Sequence, residues 1–328
     1  MHTLRISAVA TAMLAVTATP ALAGGFDGSW VALIPPQENC NRTSIMTLTM
    51  SDNVFQGETR NSGTTMAFSG RIDADGNGTM VIYPRSSGTI RFTADHFDAN
   101  WNERDCRRHA LGDRALTGAE AAAAFAQRKQ MQSRYADLTR RATLGDHSVD
   151  FSVLRASYPY TDQWDPYGNE TGALLDQAAA AVRGQDCTTA LEKLDEILRL
   201  DFTIDAAHAL RSDCLAATGQ KPASRIESDI ADALIRSLMD SGNGDSEATA
   251  YVVATRREEM DVLANRHLVA KLRQTQLRGN DAHVYDEVQA TAAGDNTAVR
   301  TVFFDISSFV DGRKSRMAAI DTLASTMP

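Results

Sequence analysis

No two of the four cysteines, at positions 40, 106, 187 and 214, are spaced as a CxxC pair, which excludes the common dithiol redox site. The chain also lacks a GxSxG elbow, an HExxH helix motif and the glycine loops that cradle nucleotides. An enzyme therefore has no visible engine here, and neither a cofactor nor a metal is expected. Beyond the first 23 residues no apolar run approaches the roughly 20 residues that span a bilayer. Positive charge is short as well: 33 Lys and Arg against 42 Asp and Glu give a formal charge of −9, which repels phosphate backbones and excludes nucleic acid as an expected partner. The basic clusters Arg104 to His109 and Arg140-Arg141 are short and read as solvated faces.

What is present begins with a secretory signal. Met1 to Ala23 carries Arg5, an apolar run from Ile6 to Ala18, Pro20, and a small-residue Ala21-Leu22-Ala23 site where cleavage is expected. No cysteine follows the cut, so no lipid anchor is expected, and after signal removal no membrane insertion is expected either. These features predict an exported, soluble protein of a bacterial envelope, periplasmic or secreted. Four cysteines in an oxidising compartment favour disulfides over metal or catalysis. Cys40 follows the first predicted strand and Cys106 the last; Cys187 begins one predicted helix, and Cys214 lies near the end of the next, about equally far from the turn at Asp201 to Thr203. The pairing expected is Cys40–Cys106 and Cys187–Cys214.

Composition divides the chain. From Phe26 to about Arg114 it is rich in Gly, Thr, Ser and Asn, with short strand-like runs between turns: GSWVALI, SIMTLTM, VFQGET, TMAFSG, GTMVIY, GTIRFT and HFDANW. These predict a small antiparallel barrel or sandwich with Trp30, Phe68, Ile72, Phe92, Phe97 and Trp101 in its core. Thr117 to Glu120 has the form of a capping box and opens a connecting helix to about Ala142. Later come a short helix, an irregular loop, helices near 171–183, 187–200, 204–218 and 223–240, a helical run over 256–264, strands near 249–254, 267–277, 282–290 and 300–306, and a helical tail. The expected fold is two-part, all-β and then α+β, with a signal at 1–23, a β domain at 24–116, a connecting helix at 117–143, an α+β domain at 144–310 and a tail at 311–328.

Three constellations invite chemistry. Asp73 to Gly78 places ligands as a calcium loop does, but position twelve is Pro84 and the flanks are strands, so a hairpin turn is expected. Ser241 to Ser246 has the glycines of an anion nest, but Gly242 reads as the cap of a helix ending near Asp240. The candidate pocket comprises Asp165, Tyr167, His283, Tyr285 and Asp286. On a strand His283 and Tyr285 share one face and Asp286 takes the other, so Asp165 or Asp305 would have to orient His283 as a general base.

The segment AAAAVRGQDCTTALEKLDEILRLDFTIDAAHALRSDCLAATGQ resembles a tetratricopeptide unit, with Gly184, Ala190, Ile197 and Ala207 to Gly219 at matching places. About one and a half units are visible, which implies a tetratricopeptide-like hairpin inside a domain and not an array. More widely, DFSVLRASYPYTDQWDPYG, SGNGDSEATAYVV, REEMDVL, HVYDEV and VFFDIS, in that order over Asp150 to Ser307, resemble a bacterial family of secreted proteins known only as a domain of unknown function. That resemblance implies an exported domain with a helical hairpin and a small antiparallel sheet, and no activity. The β part, from FDGSW to FDANW, resembles small exported β modules. Two functions follow: a non-enzymatic envelope protein that acts by binding a protein or ligand partner, or a periplasmic hydrolase or small-ligand domain with a pocket around His283.

Overall fold

The computed structural model describes residues 25–34, 44–61, 64–83, 86–93, 95–103, 106–168, 170–277, 283–294 and 298–326. The expected signal segment and Cys40, and with it the Cys40–Cys106 pairing, lie outside the described residues.

Strands β1 (Gly28–Ile34), β2 (Ser44–Ser51), β3 (Val54–Asn61), β4 (Thr64–Ile72), β5 (Asn77–Ile82), β6 (Ser86–Phe92), β7 (His96–Glu103) and β8 (Cys106–Arg114) each pair antiparallel with the next. Strand β8 returns to β1 through Trp30↔Arg114 and Val31↔Asp113, so the sheet closes into a barrel with no free edge. Alternation along β2 decides the faces: Met46, Leu48 and Met50 are buried, whereas Thr47 and Thr49 are exposed. All six core residues expected from the sequence are inside, and the Trp30 and Phe92 rings meet edge-on at 5.0 Å. Glycine is required where rings fill the interior: a Cβ at Gly70 would strike the Phe55 ring, and one at Gly112 the Phe97 ring. Asp52 and Asn53, with φ of 52° and 61°, form a two-residue hairpin of the kind that matches strand twist.

The chain then forms α1 (Gly118–Thr143), α2 (Phe151–Ser157), α3 (Thr171–Arg183), α4 (Cys187–Leu200), α5 (Asp205–Ala217) and α6 (Lys221–Met239). After them come β9 (Tyr251–Val252), α7 (Arg256–Asn265), β10 (Leu268–Leu277), β11 (Val284–Ala292), β12 (Val299–Asp305) and α8 (Ser307–Thr326). The disulfide Cys187–Cys214 joins the start of α4 to the end of α5 with a Cα–Cα distance of 5.2 Å, and it fits an oxidising, exported environment.

This architecture corrects two expectations. The helices are not organised as tetratricopeptide units. Their apolar faces divide between one cluster built by α3, α4 and α5 around Leu194, Ile197 and Ala207, and another built by α1, α2 and α6 around Leu138, Leu154, Ile230 and Leu234. Helix α6 packs along α5, where His208 Nδ1 lies 2.6 Å from Glu227, and gives its apolar face to α1 and α2, where a repeat would offer that face to the next unit. The sheet, in order β10-β11-β12-β9, is mixed: β9 runs parallel to β12 through Phe304↔Tyr251 and Val252↔Asp305. A parallel neighbour needs a crossover, and the path from β9 through α7, β10 and β11 supplies it.

Among the contacts that fix the barrel to this second part, two are buried. Leu111 of β8 enters the apolar cluster of the sheet with Val253, Val288 and Phe304. Asp113, 1% exposed, accepts from Arg313 of α8 at 2.8 and 3.0 Å and from His96 Nδ1 at 2.8 Å.

Candidate functional site

Of the five residues singled out from the sequence, Tyr167 and Asp286 come together. They line a cavity of about 20 Å³ with Arg256, Glu259, His109 and Phe309, enough for about one water. Arg256 Nη1 donates to Asp286 Oδ2 at 2.7 Å and to Glu259 Oε2 at 3.0 Å, and its guanidinium stands 6.0 Å from the Tyr167 ring. Burial pushes the Tyr167 hydroxyl above its ordinary pKa, against the pull of Arg256. This is a largely buried charge network at the junction with the barrel, with Arg256 at its half-buried edge.

The other three stand apart. Asp165 is a turn residue whose carboxylate accepts from the backbone N–H of Tyr167 at 3.2 Å and of Glu170 at 2.8 Å. His283 and Tyr285 occupy the opposite face of β11 from Asp286, with rings stacked at 6.1 Å. His283 is 56% exposed, and Asp305 Oδ2 lies 2.8 Å from its Nδ1, so Asp305 is the residue that orients it. Ser307 Oγ lies 3.4 Å from that same nitrogen and accepts from the Val284 N–H at 3.0 Å, which places the serine as a strand-to-helix cap on the wrong side of the imidazole for activation through Nε2. Among the described residues the cavity that holds Tyr167 and Asp286 is lined by neither Asp165 nor His283.

The two glycine-rich turns are structural. Asp73 Oδ1 accepts from the N–H groups of Asp75 at 3.0 Å and Asn77 at 2.8 Å, so the carboxylate organises the β4–β5 hairpin. In the supposed nest, the N–H groups of Asn243 and Gly244 are taken by the Thr249 carbonyl at 2.9 and 2.8 Å. Gly242 is not the cap, which falls on Asp240; it is glycine because a Cβ would strike the backbone of Thr249 and Ala250. Among the described residues no group of His, Cys, Asp and Glu is arranged to hold a metal.

Sequence reasoning missed a trough of about 760 Å³ between the α1–α2 connection and α6. Gly145, with φ of 76°, ends α1, and its N–H donates to Ala142 O at 2.9 Å. The chain turns back through Asp146, which accepts from Ser148 and Arg141, and enters α2 at Asp150, whose Oδ1 caps Ser152 N at 3.0 Å and Val153 N at 3.1 Å. Behind the trough, Arg155 of α2 holds Glu258 at 2.8 Å and Ser237 of α6 at 3.3 Å, fixing one wall against the other. Buried Ala142, Val149 and Ile230 form the bottom, and Asp146, Asp150, Asp229, Asp232 and Asp240 form the rim beside a single cation, Arg236. Hydrogen bonds from Ser148, and from Ser152 with Val153, hold Asp146 and Asp150 below the ordinary carboxylate range. A second hollow, of about 890 Å³, lies on the outer wall of β1 to β4 among Thr47, Thr49, Gln56 and Ser69; its single charged side chain, Glu58, is taken by Arg60 at 2.6 Å.

Comparison with known proteins finds no matching family model, no matching curated protein and no matching solved structure. Among the described residues no helix is long and apolar enough to cross a membrane.

Proposed function

We propose that this chain is an exported, non-enzymatic protein of the cell envelope that works by binding another protein, with the trough against α6 as its recognition surface. The observation that carries this reading is the trough itself: an open concavity with a buried apolar bottom and a charged rim, held by the Arg155 bridge between its walls. The disulfide and the signal-like first 23 residues support export to a periplasmic or extracellular site. The likeness to secreted domains of unknown function is compatible with this and adds no activity.

The test is site-specific photo-crosslinking in the producing cell, with the reactive residue at exposed Asp232 and, as control, at exposed Glu192 of α4. A discrete adduct from position 232 alone is expected. Equal adducts from both, or none from 232, would overturn the reading.

One observation favours the second function, a hydrolase or small-ligand domain: the Asp305–His283 pair leaves Nε2 of an exposed imidazole toward solvent. If that reading were right, His283→Ala would abolish turnover of generic ester or peptide substrates. We expect no turnover by either the parent chain or the variant, because among the described residues no nucleophile is hydrogen-bonded to Nε2.

A further inference from the structure

Resting on that reading of the trough, we infer that its occupant is a cationic, amphipathic helical segment of a partner protein. The shape comes first. On α6 the lining residues include Ile226, Asp229, Ile230, Ala233 and Ser237, a stripe at helical spacing that rises about 16 Å at 1.5 Å per residue. A groove of that length beside a helix accommodates about three turns of a second helix laid along it, with side chains at i, i+3, i+4 and i+7 reaching down. Ala142, Val149 and Ile230 are buried beneath the bottom, and half-buried Phe151, Ile226 and Ala233 present the apolar surface that Leu-like anchors can meet and that offers nothing to a bare inorganic cation. Leu144, next in sequence to the lining residue Gly145, is 71% exposed and extends the apolar surface that such anchors can meet.

The rim sets the charge. Asp229, Asp232 and Asp240 are exposed, and none forms an ion pair among the described residues. Across from them Asp146 and Asp150 are ionised, Asp146 being partly offset by Arg141 at 2.8 Å. Against these five carboxylates the lining holds one arginine, Arg236. A field of one sign focused in a cleft attracts the opposite charge and repels its own. A second copy of this chain, at formal charge −9, is therefore a poor occupant, whereas Lys and Arg flanking an apolar stripe complement both rim and bottom.

The experiment is fluorescence anisotropy on the full exported chain with labelled 15-residue helical peptides. The probe carries Leu at i, i+3, i+4 and i+7 with Lys elsewhere on the flanks; one comparator replaces Lys by Glu, and another replaces Leu by Ser. We expect only the Leu/Lys peptide to bind well, and the triple variant Asp229→Asn, Asp232→Asn, Asp240→Asn to weaken it about tenfold, with salt acting in the same direction. A charge-matched control, Asp176→Asn with Glu192→Gln and Glu196→Gln on α3 and α4, should change affinity less than about twofold. Unchanged melting of both variants shows that the fold is intact.

Equal binding of the Leu/Glu peptide would overturn the inference about charge while leaving the trough as a docking surface. Equal binding of the Lys/Ser peptide, or full displacement by spermine, would make the trough a general polycation site and overturn the amphipathic partner. An unchanged affinity in the triple variant would place the peptide elsewhere and overturn the inference. If no peptide binds, the inference fails, and the crosslink from position 232 then decides whether the docking surface fails with it.

Discussion

At the residue scale the buried charges decide how this protein responds to pH. Burial pushes Asp113 upward, but Arg313 and the hydrogen bonds from His96 and Arg313 outweigh it and hold Asp113 below its ordinary value. Its contribution is present above the unfolded carboxylate pKa, near 3.8, and is lost as pH falls through the lower folded value. Asp201 and Asp261 act in the opposite sense: burial, the largest cause in each, pushes Asp201 up to about 7 and Asp261 to about 8. Their unfolded forms release protons first, so stability declines as pH climbs from about 4 toward 8. Together these predict a stability maximum near pH 4, read from melting temperatures across the range. Asp261→Asn, neutral at every pH, is expected to raise the melting temperature at pH 8 and leave it nearly unchanged at pH 4. Asp113→Ala strands Arg313 without its partner in a site that is 3% exposed and is expected to cost about 3–5 kcal/mol in a denaturant titration at pH 7.

At the element scale the helices and their disulfide were the most legible part of the sequence. The expected helices near 171–183 and 187–200 coincide with α3 and α4 because apolar residues recur at 3.6-residue spacing, Asp186 caps α4 through Thr189 N at 3.1 Å, and Gly184 ends α3. The Cys187–Cys214 bridge followed from positions equidistant from the turn, and the loop it closes, with a separation of 27, is expected to contribute roughly 3 kcal/mol. Denaturant unfolding of the double variant Cys187→Ser, Cys214→Ser measures that loss. Strand β8 was illegible for a physical reason. Its inward positions are Arg108, Ala110 and Gly112, while outward Leu111 and Asp113 are buried against the second part, so the usual alternation of apolar and polar residues is inverted. The expected capping box also fails: Thr117 stands at the N-cap but its side chain makes no capping hydrogen bond, and Gly118 takes φ of +50°.

At the scale of the whole molecule, the barrel core and the cores of the helical part are separate clusters, and Leu111 with the Asp113–Arg313 pair couples them. Calorimetry of the intact chain is expected to give one unfolding transition, and Arg313→Ala is expected to split it in two, since neither side loses its own core.

Elements with their own periodicity were determined by the sequence alone: six aromatic and aliphatic residues in the barrel, helix limits to within a few residues, the turn at Asp73, and one disulfide. Local hydrogen bonding and side-chain spacing suffice for these, because each is settled within a few turns of chain. Tertiary structure alone decided that the strands close into a barrel, that α6 closes a bundle instead of extending a repeat, and that β9 joins the sheet in parallel. Strand alternation, already legible in the sequence, puts His283 and Asp286 on opposite faces, but only the tertiary structure opened the trough beside α6. Which face of an amphipathic helix remains uncovered depends on where every other helix packs, and no stretch of sequence carries that information by itself.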